Sequence, residues 1–169
     1  MKKLISIALC LFTILILAGC TTTKTAAGEI ADPGTNEDKA MVGEWTSTDN
    51  GLTINRYLYT SGNSITIIQD TEQTFWCYTG NWKQNGNTLD ISGVTIYKYN
   101  GSSQKWEQQD NSQSENLTSF ELASDKNSFT CSEQLMTDSV MTFKYTRGLT
   151  KLDIPDINGL TTYIVKVMK

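Results

Sequence analysis

Regular punctuation between residues 43 and 147 constrains the fold more than any other feature of the chain. Turn signals recur at Asn50-Gly51, Ser61-Gly62-Asn63, Asn85-Gly86-Asn87, Asn100-Gly101, Asp125-Lys126-Asn127 and Thr137-Asp138. Three of them are Asn-Gly, the pair that best accepts the positive φ angles of tight hairpins. Strand-length runs lie between: Leu52–Thr60, Ser64–Gln69, Thr74–Lys83, Thr88–Ser92, Val94–Tyr99, Asn116–Ala123, Ser128–Met136 and Ser139–Arg147. No Pro interrupts residues 34–154, so hydrogen-bonded ladders can run unbroken. The spacing predicts an all-β chain, an antiparallel meander closing into a barrel or sandwich.

Alternation within the runs predicts which side chains point inward. Ile65 and Ile67 alternate with Ser64 and Thr66, Phe120 and Leu122 with Ser119 and Glu121, and Phe129 and Cys131 with Thr130 and Ser132. Met141, Phe143, Tyr145 and Arg147 share one parity of the last main run. Phe75-Trp76-Cys77-Tyr78 is apolar on both parities. The bulkier set, Trp76, Tyr78 and Trp82, is placed inside, which leaves Phe75 and Cys77 facing outward or beneath a neighbouring segment. The inward apolar residues of these runs are the candidate lining of a cavity.

Arg147 poses a problem on that apolar parity, because an unpaired guanidinium is costly to bury. An indole face satisfies it best, and Gly43-Glu44-Trp45 supplies one on the first strand. Gly43 and Trp45 on the first strand, with Arg147 ending the last, resemble the signature of the lipocalin-like (calycin-type) families of small β-barrels. Tyr78-Thr79-Gly80-Asn81-Trp82, followed by Asn85-Gly86-Asn87-Thr88-Leu89, is similar to the middle strands of bacterial lipocalin-like domains. The resemblance spans Val42 to Arg147. It implies an up-and-down antiparallel barrel of about 8–10 strands with room for one small apolar or amphipathic ligand.

The start of the chain carries an address. Lys2 and Lys3 precede an apolar run from Leu4 to Leu17, followed by Ala18 and Gly19, which reads as a secretory signal too short to span a membrane comfortably. Leu17-Ala18-Gly19-Cys20 resembles the lipobox of bacterial lipoproteins. That resemblance implies cleavage after residue 19, diacylation of Cys20 and a lipid anchor in the cell envelope. Thr21 in place of Asp permits outer-membrane sorting in a Gram-negative cell. Residues 20–40 contain one large apolar side chain, Ile30, and read as a lipidated tether with a reach of roughly 25 Å. The expected organisation is a signal peptide over 1–19, a tether over 20–40, a barrel over 41–148 and an extension over 149–169. Without the signal, 12 basic residues face 18 acidic ones, which argues against a nucleic-acid partner.

Little catalytic chemistry is available. The chain has no histidine, which excludes Ser/His/Asp and Cys/His nucleophile systems and removes the usual transition-metal ligand. Glu107, Asp110, Glu115, Glu121 and Glu133 stand singly among polar neighbours and read as solvation of an outer face. Asp153, Asp156 and Asn158-Gly159 do not match the alternating ligands of an EF-hand. No enzyme, metal or cofactor is expected. Cys77 and Cys131 would remain after the signal is removed and Cys20 acylated; opposite facings on strands that are not neighbours disfavour a disulfide between them. Residues 101–116 suggest a solvated hairpin with Trp106 packed across onto Tyr97 or Tyr99, or else a mobile contact with a partner. Thr161–Val167 reads as one more strand. The functional expectation is an envelope-anchored binder of a small ligand; the alternative is an adhesin or inhibitor module on a filled barrel or sandwich.

Overall fold

A computed structural model describes residues 30, 33, 40–109, 116, 117, 119–135 and 139–167. The expected signal segment, Cys20 and nearly all of the expected tether lie outside the described residues. The strands are β1 (Gly43–Ser47), β2 (Thr53–Leu58), β3 (Asn63–Gln69), β4 (Phe75–Asn85), β5 (Thr88–Asn100), β6 (Lys105–Gln108), β7 (Asn116–Leu117), β8 (Phe120–Leu122), β9 (Ser128–Glu133) and β10 (Met141–Arg147). All pair antiparallel in one sheet, in the order β6-β5-β4-β3-β2-β1-β10-β9-β8, with β7 on β5. The Asn50-Gly51 turn joins β1 to β2 with φ of 55° and 75°, the positive pair that Asn-Gly tolerates.

The path begins at β6 and ends at β8, so the sheet is open rather than the closed barrel expected. The predicted run over 116–123 appears as two very short strands on opposite sides of the seam. β7 pairs Leu89 and Asp90 of β5, whereas β8 pairs β9. One backbone bond, from Phe120 N–H to the Asn87 carbonyl at 2.9 Å, crosses between them. Segments of two and three residues are too short to continue the ladder across.

Two predicted runs, 88–92 and 94–99, form the single strand β5 around a bulge. The register against β4 shifts between Thr79 and Asn81, and Gly93 takes φ +63°. The extra residue flips the parity of β5, so that Ile91 and Ile96 both reach the inner apolar cluster. Gly80 sits opposite, where an added Cβ would meet the Ser92 carbonyl at 3.0 Å. Gly80 is thus a packing requirement of the bulge.

The sheet carries an apolar cluster on each face. The inner one gathers Trp45, Ile54, Leu58, Tyr78, Trp82, Phe129, Phe143 and Tyr145 from strands far apart in order. The outer one gathers Tyr57, Ile65, Ile67, Phe75, Cys77, Tyr97 and Trp106. Ile65 and Ile67 were expected inside. They lie on the outer face because the opposite parity of β3 brings Thr66 to the inner side, where its hydroxyl accepts from Arg56.

A helix, α1 (Ile157–Val167), covers the outer cluster where a strand was expected. Ile157, Leu160 and Ile164 recur at helical spacing, and Leu160 and Ile164 are buried in that cluster. Asp156 starts the helix, its carboxylate accepting from Gly159 N–H at 3.2 Å. The hydroxyls of Thr161 and Thr162 both turn back to the Asn158 carbonyl at 3.0 Å. β-branched residues favour strands only weakly, and burying a helix face against an uncovered sheet outweighs that preference at about 25 cal/mol per Å². The connection to α1 is fastened by the Asn55 amide, which meets the Thr150 carbonyl at 2.7 Å and the Thr150 N–H at 3.0 Å.

Candidate functional site

One end of the sheet is shut by the residues of the first and last main strands. Trp45 and Arg147 are register partners across β1 and β10. The Arg147 guanidinium lies 3.9 Å from the Trp45 ring centroid. It also donates to the Val42 carbonyl at 2.6 Å and to the Ala40 carbonyl, while the indole N–H donates to the Met41 carbonyl at 2.8 Å. Gly43 leaves the room: at φ +131°, an added Cβ would fall 2.3 Å from a guanidinium nitrogen.

Aromatic rings continue inward from this cap. Trp45 meets Phe129 edge-on at 4.8 Å, and Phe129 stacks on Tyr145 at 4.7 Å. Tyr145 also meets a second guanidinium, Arg56, at 5.0 Å. Arg56 forms a salt bridge of 2.6 Å with Glu133, both side chains being essentially without solvent contact. The Tyr145 hydroxyl donates to Glu133, and Arg56 Nε donates to Thr66 at 3.2 Å. Burial raises the Tyr145 phenol well above its ordinary value, against the lowering pull of Arg56. Glu133 is therefore an interior residue, not the surface carboxylate expected. The missed signal was parity: Arg56 falls between Ile54 and Leu58, and Glu133 follows Phe129 and Cys131 at steps of two.

The predicted cavity residues on this face fill it. Tyr78, Trp82, Phe120, Phe129, Phe143 and Tyr145 are buried in the inner cluster. Trp76, Leu122 and Met141 pack against it while partly exposed. Cys131 belongs to the inner cluster and Cys77 to the outer, and neither forms a disulfide. Burial pushes the Cys77 thiol far above its ordinary range, which leaves it unreactive. Trp106 is buried too. It packs edge-on against Tyr99 at 5.7 Å and donates to the Pro155 carbonyl at 2.9 Å, so it offers no surface anchor.

The other end of the sheet differs from the capped one. Register places Ile54, Ile68, Trp76, Lys98 and Met141 toward the same strand ends. Lys98 Nζ sits 4.6 Å from the Trp76 ring centroid. The Trp76 indole N–H is shielded and finds no acceptor. Glu107 stands opposite Lys98 across the strand pair, yet its carboxylate is held by Asn100 and Ser103. Leu52 and Met141 are only partly buried here, and Val140 is 67% exposed.

Described residues line solvent-open clefts. One, of about 440 Å³, follows the open seam between Asn87, Ser119, Phe120, Glu121, Thr130, Cys131 and Ser132. Another, of about 350 Å³, lies beside the segment leading to α1 and is walled by Gln73, Thr74, Phe75, Tyr99, Gly101, Asp153 and Pro155. Among the described residues no cluster of His, Cys, Asp and Glu could hold a metal ion, and no helix is long and apolar enough to cross a membrane. No protein-family model, curated protein or solved structure matches the chain.

Proposed function

We propose that this chain is a lipid-anchored, lipocalin-like protein of the bacterial cell envelope that binds a small amphipathic ligand at the uncapped end of its sheet. The observation that carries this reading is the contrast at that end. Leu52, Trp76, Val140 and Met141 leave apolar surface within reach of solvent, and the Lys98 ammonium stands among them over the Trp76 ring. Apolar surface with a few convergent polar groups is what a small-molecule site needs. The packing of Gly43, Trp45 and Arg147 supports the lipocalin-like part of the reading, and the Leu17–Cys20 sequence supports the anchor.

Native mass spectrometry of the protein purified from its host tests the ligand. A bound small molecule released on denaturation is expected. A bare polypeptide mass that also stays unchanged on titration with alkyl amphiphiles sinks the reading. Replacing Cys20 with Ala should abolish palmitate labelling; label that persists on the variant removes the anchor. The alternative, an interaction module on a filled scaffold, is favoured by the solid packing around Arg56 and Glu133. It requires a macromolecular partner to be retained where no small molecule is.

A further inference from the structure

We infer that the cleft beside α1 is a separate binding site for a small organic cation, an ammonium group carrying apolar substituents. It lies on the outer face at the same strand ends, where Phe75 and Tyr99 flank Trp76 and Lys98 in sequence, and it shares no lining residue with the inner-face site.

Three segments build the cleft, and each is held before any ligand arrives. The turn before β4 is organised by Asp70, whose carboxylate accepts the N–H groups of Glu72 at 2.9 Å and Thr74 at 2.8 Å. Gln73 is fixed there in the left-handed region at φ 63°, a conformation a non-glycine residue adopts only when its surroundings impose it. The β5–β6 turn is organised in the same way by Asn100, whose side-chain oxygen accepts from Ser102 at 2.9 Å and Ser103 at 3.2 Å. The third wall is set by Trp106, which holds the Pro155 carbonyl with its N–H and Tyr99 with its ring. Gly101 contributes open space, since an added Cβ would meet nothing within 4 Å. Preformed walls spare a ligand the cost of ordering them.

The lining selects the charge of the occupant. Phe75 and Tyr99 supply aromatic surface, and Pro155 adds an apolar edge. Asp153 is the one charged side chain of the lining, and no Lys or Arg belongs to it. Lys151 approaches Asp153 only to 3.9 Å with both side chains almost fully in water, a pairing too weak to keep the carboxylate occupied. An anion would meet the Asp153 carboxylate, which repels it. A cation is attracted by that charge, and aromatic rings accept a cation where an anion is disfavoured. The cation's apolar substituents would rest against Phe75, Tyr99 and Pro155. The net charge of −4 draws cations toward the protein from a distance.

The full chain in detergent, titrated with choline and followed by NMR, tests the site. Choline should shift resonances of residues 73–75, 99–101 and 153–155, and its uncharged isostere 3,3-dimethylbutan-1-ol should bind at least about tenfold more weakly. Asp153→Asn, a surface change that leaves the walls intact, should weaken choline at least fivefold. Retained affinity for phosphocholine assigns a lipid-headgroup source, and loss of affinity on adding the phosphate assigns a free amine; either supports the site. Equal binding of the isostere, an unchanged Asp153→Asn variant, tighter binding of a neutral sugar such as glucose, or shifts confined to other residues overturns it. Failure here leaves the proposal for the inner-face site untouched, because Leu52, Trp76, Lys98, Val140 and Met141 are not part of this lining.

Discussion

The inner face of the sheet is enclosed by the sheet's own strands, whereas the outer face depends on a segment that follows the last strand. Inside, Trp45, Phe129 and Tyr145 form a continuous series of rings between two guanidiniums, and a buried ion pair takes the remaining volume. Outside, Ile65, Ile67, Cys77 and Tyr97 share one apolar cluster with Leu160 and Ile164 of α1. The first arrangement couples strands from both ends of the chain, so losing one member leaves a charge or a cavity that the others cannot fill. The second is modular, and a single helix can loosen while the sheet stays folded.

The largest expected effect lies in the ion pair. Glu133→Ala strands a buried guanidinium and should cost about 3–5 kcal/mol in denaturant unfolding, whereas Arg56→Met combined with Glu133→Leu should come close to wild-type stability. A mild Glu133→Ala would mean that the inner face is looser than the outer and would reverse the comparison.

Next comes the helix. Leu160→Ala should cost about 2–3 kcal/mol and act locally. Thiol labelling under native conditions should then accelerate at Cys77 and stay slow at Cys131, because only the outer thiol loses its cover. Equal acceleration at both would show that the two faces open together.

The cap should respond less. Arg147→Ala should cost about 1–3 kcal/mol for the lost ring contact and carbonyl bonds. Gly43→Ala should displace the same guanidinium, so thermal or denaturant midpoints of the double variant should fall by less than the sum of the two. Additive losses would show that Gly43 acts independently of the cap.

The smallest effect is alkaline. Burial holds the Cys77 thiol above its ordinary value of 9.0 in the folded chain, while the unfolded chain releases that proton near the ordinary value. Above about pH 9 the unfolded state therefore binds fewer protons, and stability falls as pH rises; below it the group contributes no slope. Burial of Tyr57 and Tyr145 acts in the same direction from about pH 10. Urea midpoints between pH 7 and 10 should decline, and Cys77→Ala should flatten the first part of that decline. A midpoint that rises instead would contradict the burial of the outer thiol.

Much of the sheet was legible because strand formation leaves a local trace. The runs over 64–69 and 74–83 correspond to β3 and β4 within a residue or two, and the Asn-Gly turns fall between strands. The contact between Trp45 and Arg147 could be anticipated because a cation on an apolar parity has few places to go. Less was legible where two solutions share one local pattern. Ile65 and Ile67 alternate as an inner pair would, and alternation does not say which face encloses the core and which waits for a helix. Thr161–Val167 is β-branched enough to pass for a strand, and only the uncovered outer face made a helix the better solution.

The sequence alone determined the antiparallel β character, the positions of the tight turns and the residue types able to cap an apolar strand end. Those properties depend on φ preferences and on alternation within a few residues. Tertiary structure decided that the sheet stays open at β7 and β8, that Arg56 and Glu133 meet across 77 positions of chain, and that α1 closes the outer face. Each of those outcomes depends on which buried surfaces and charges meet once distant segments come together, and no local stretch carries that information.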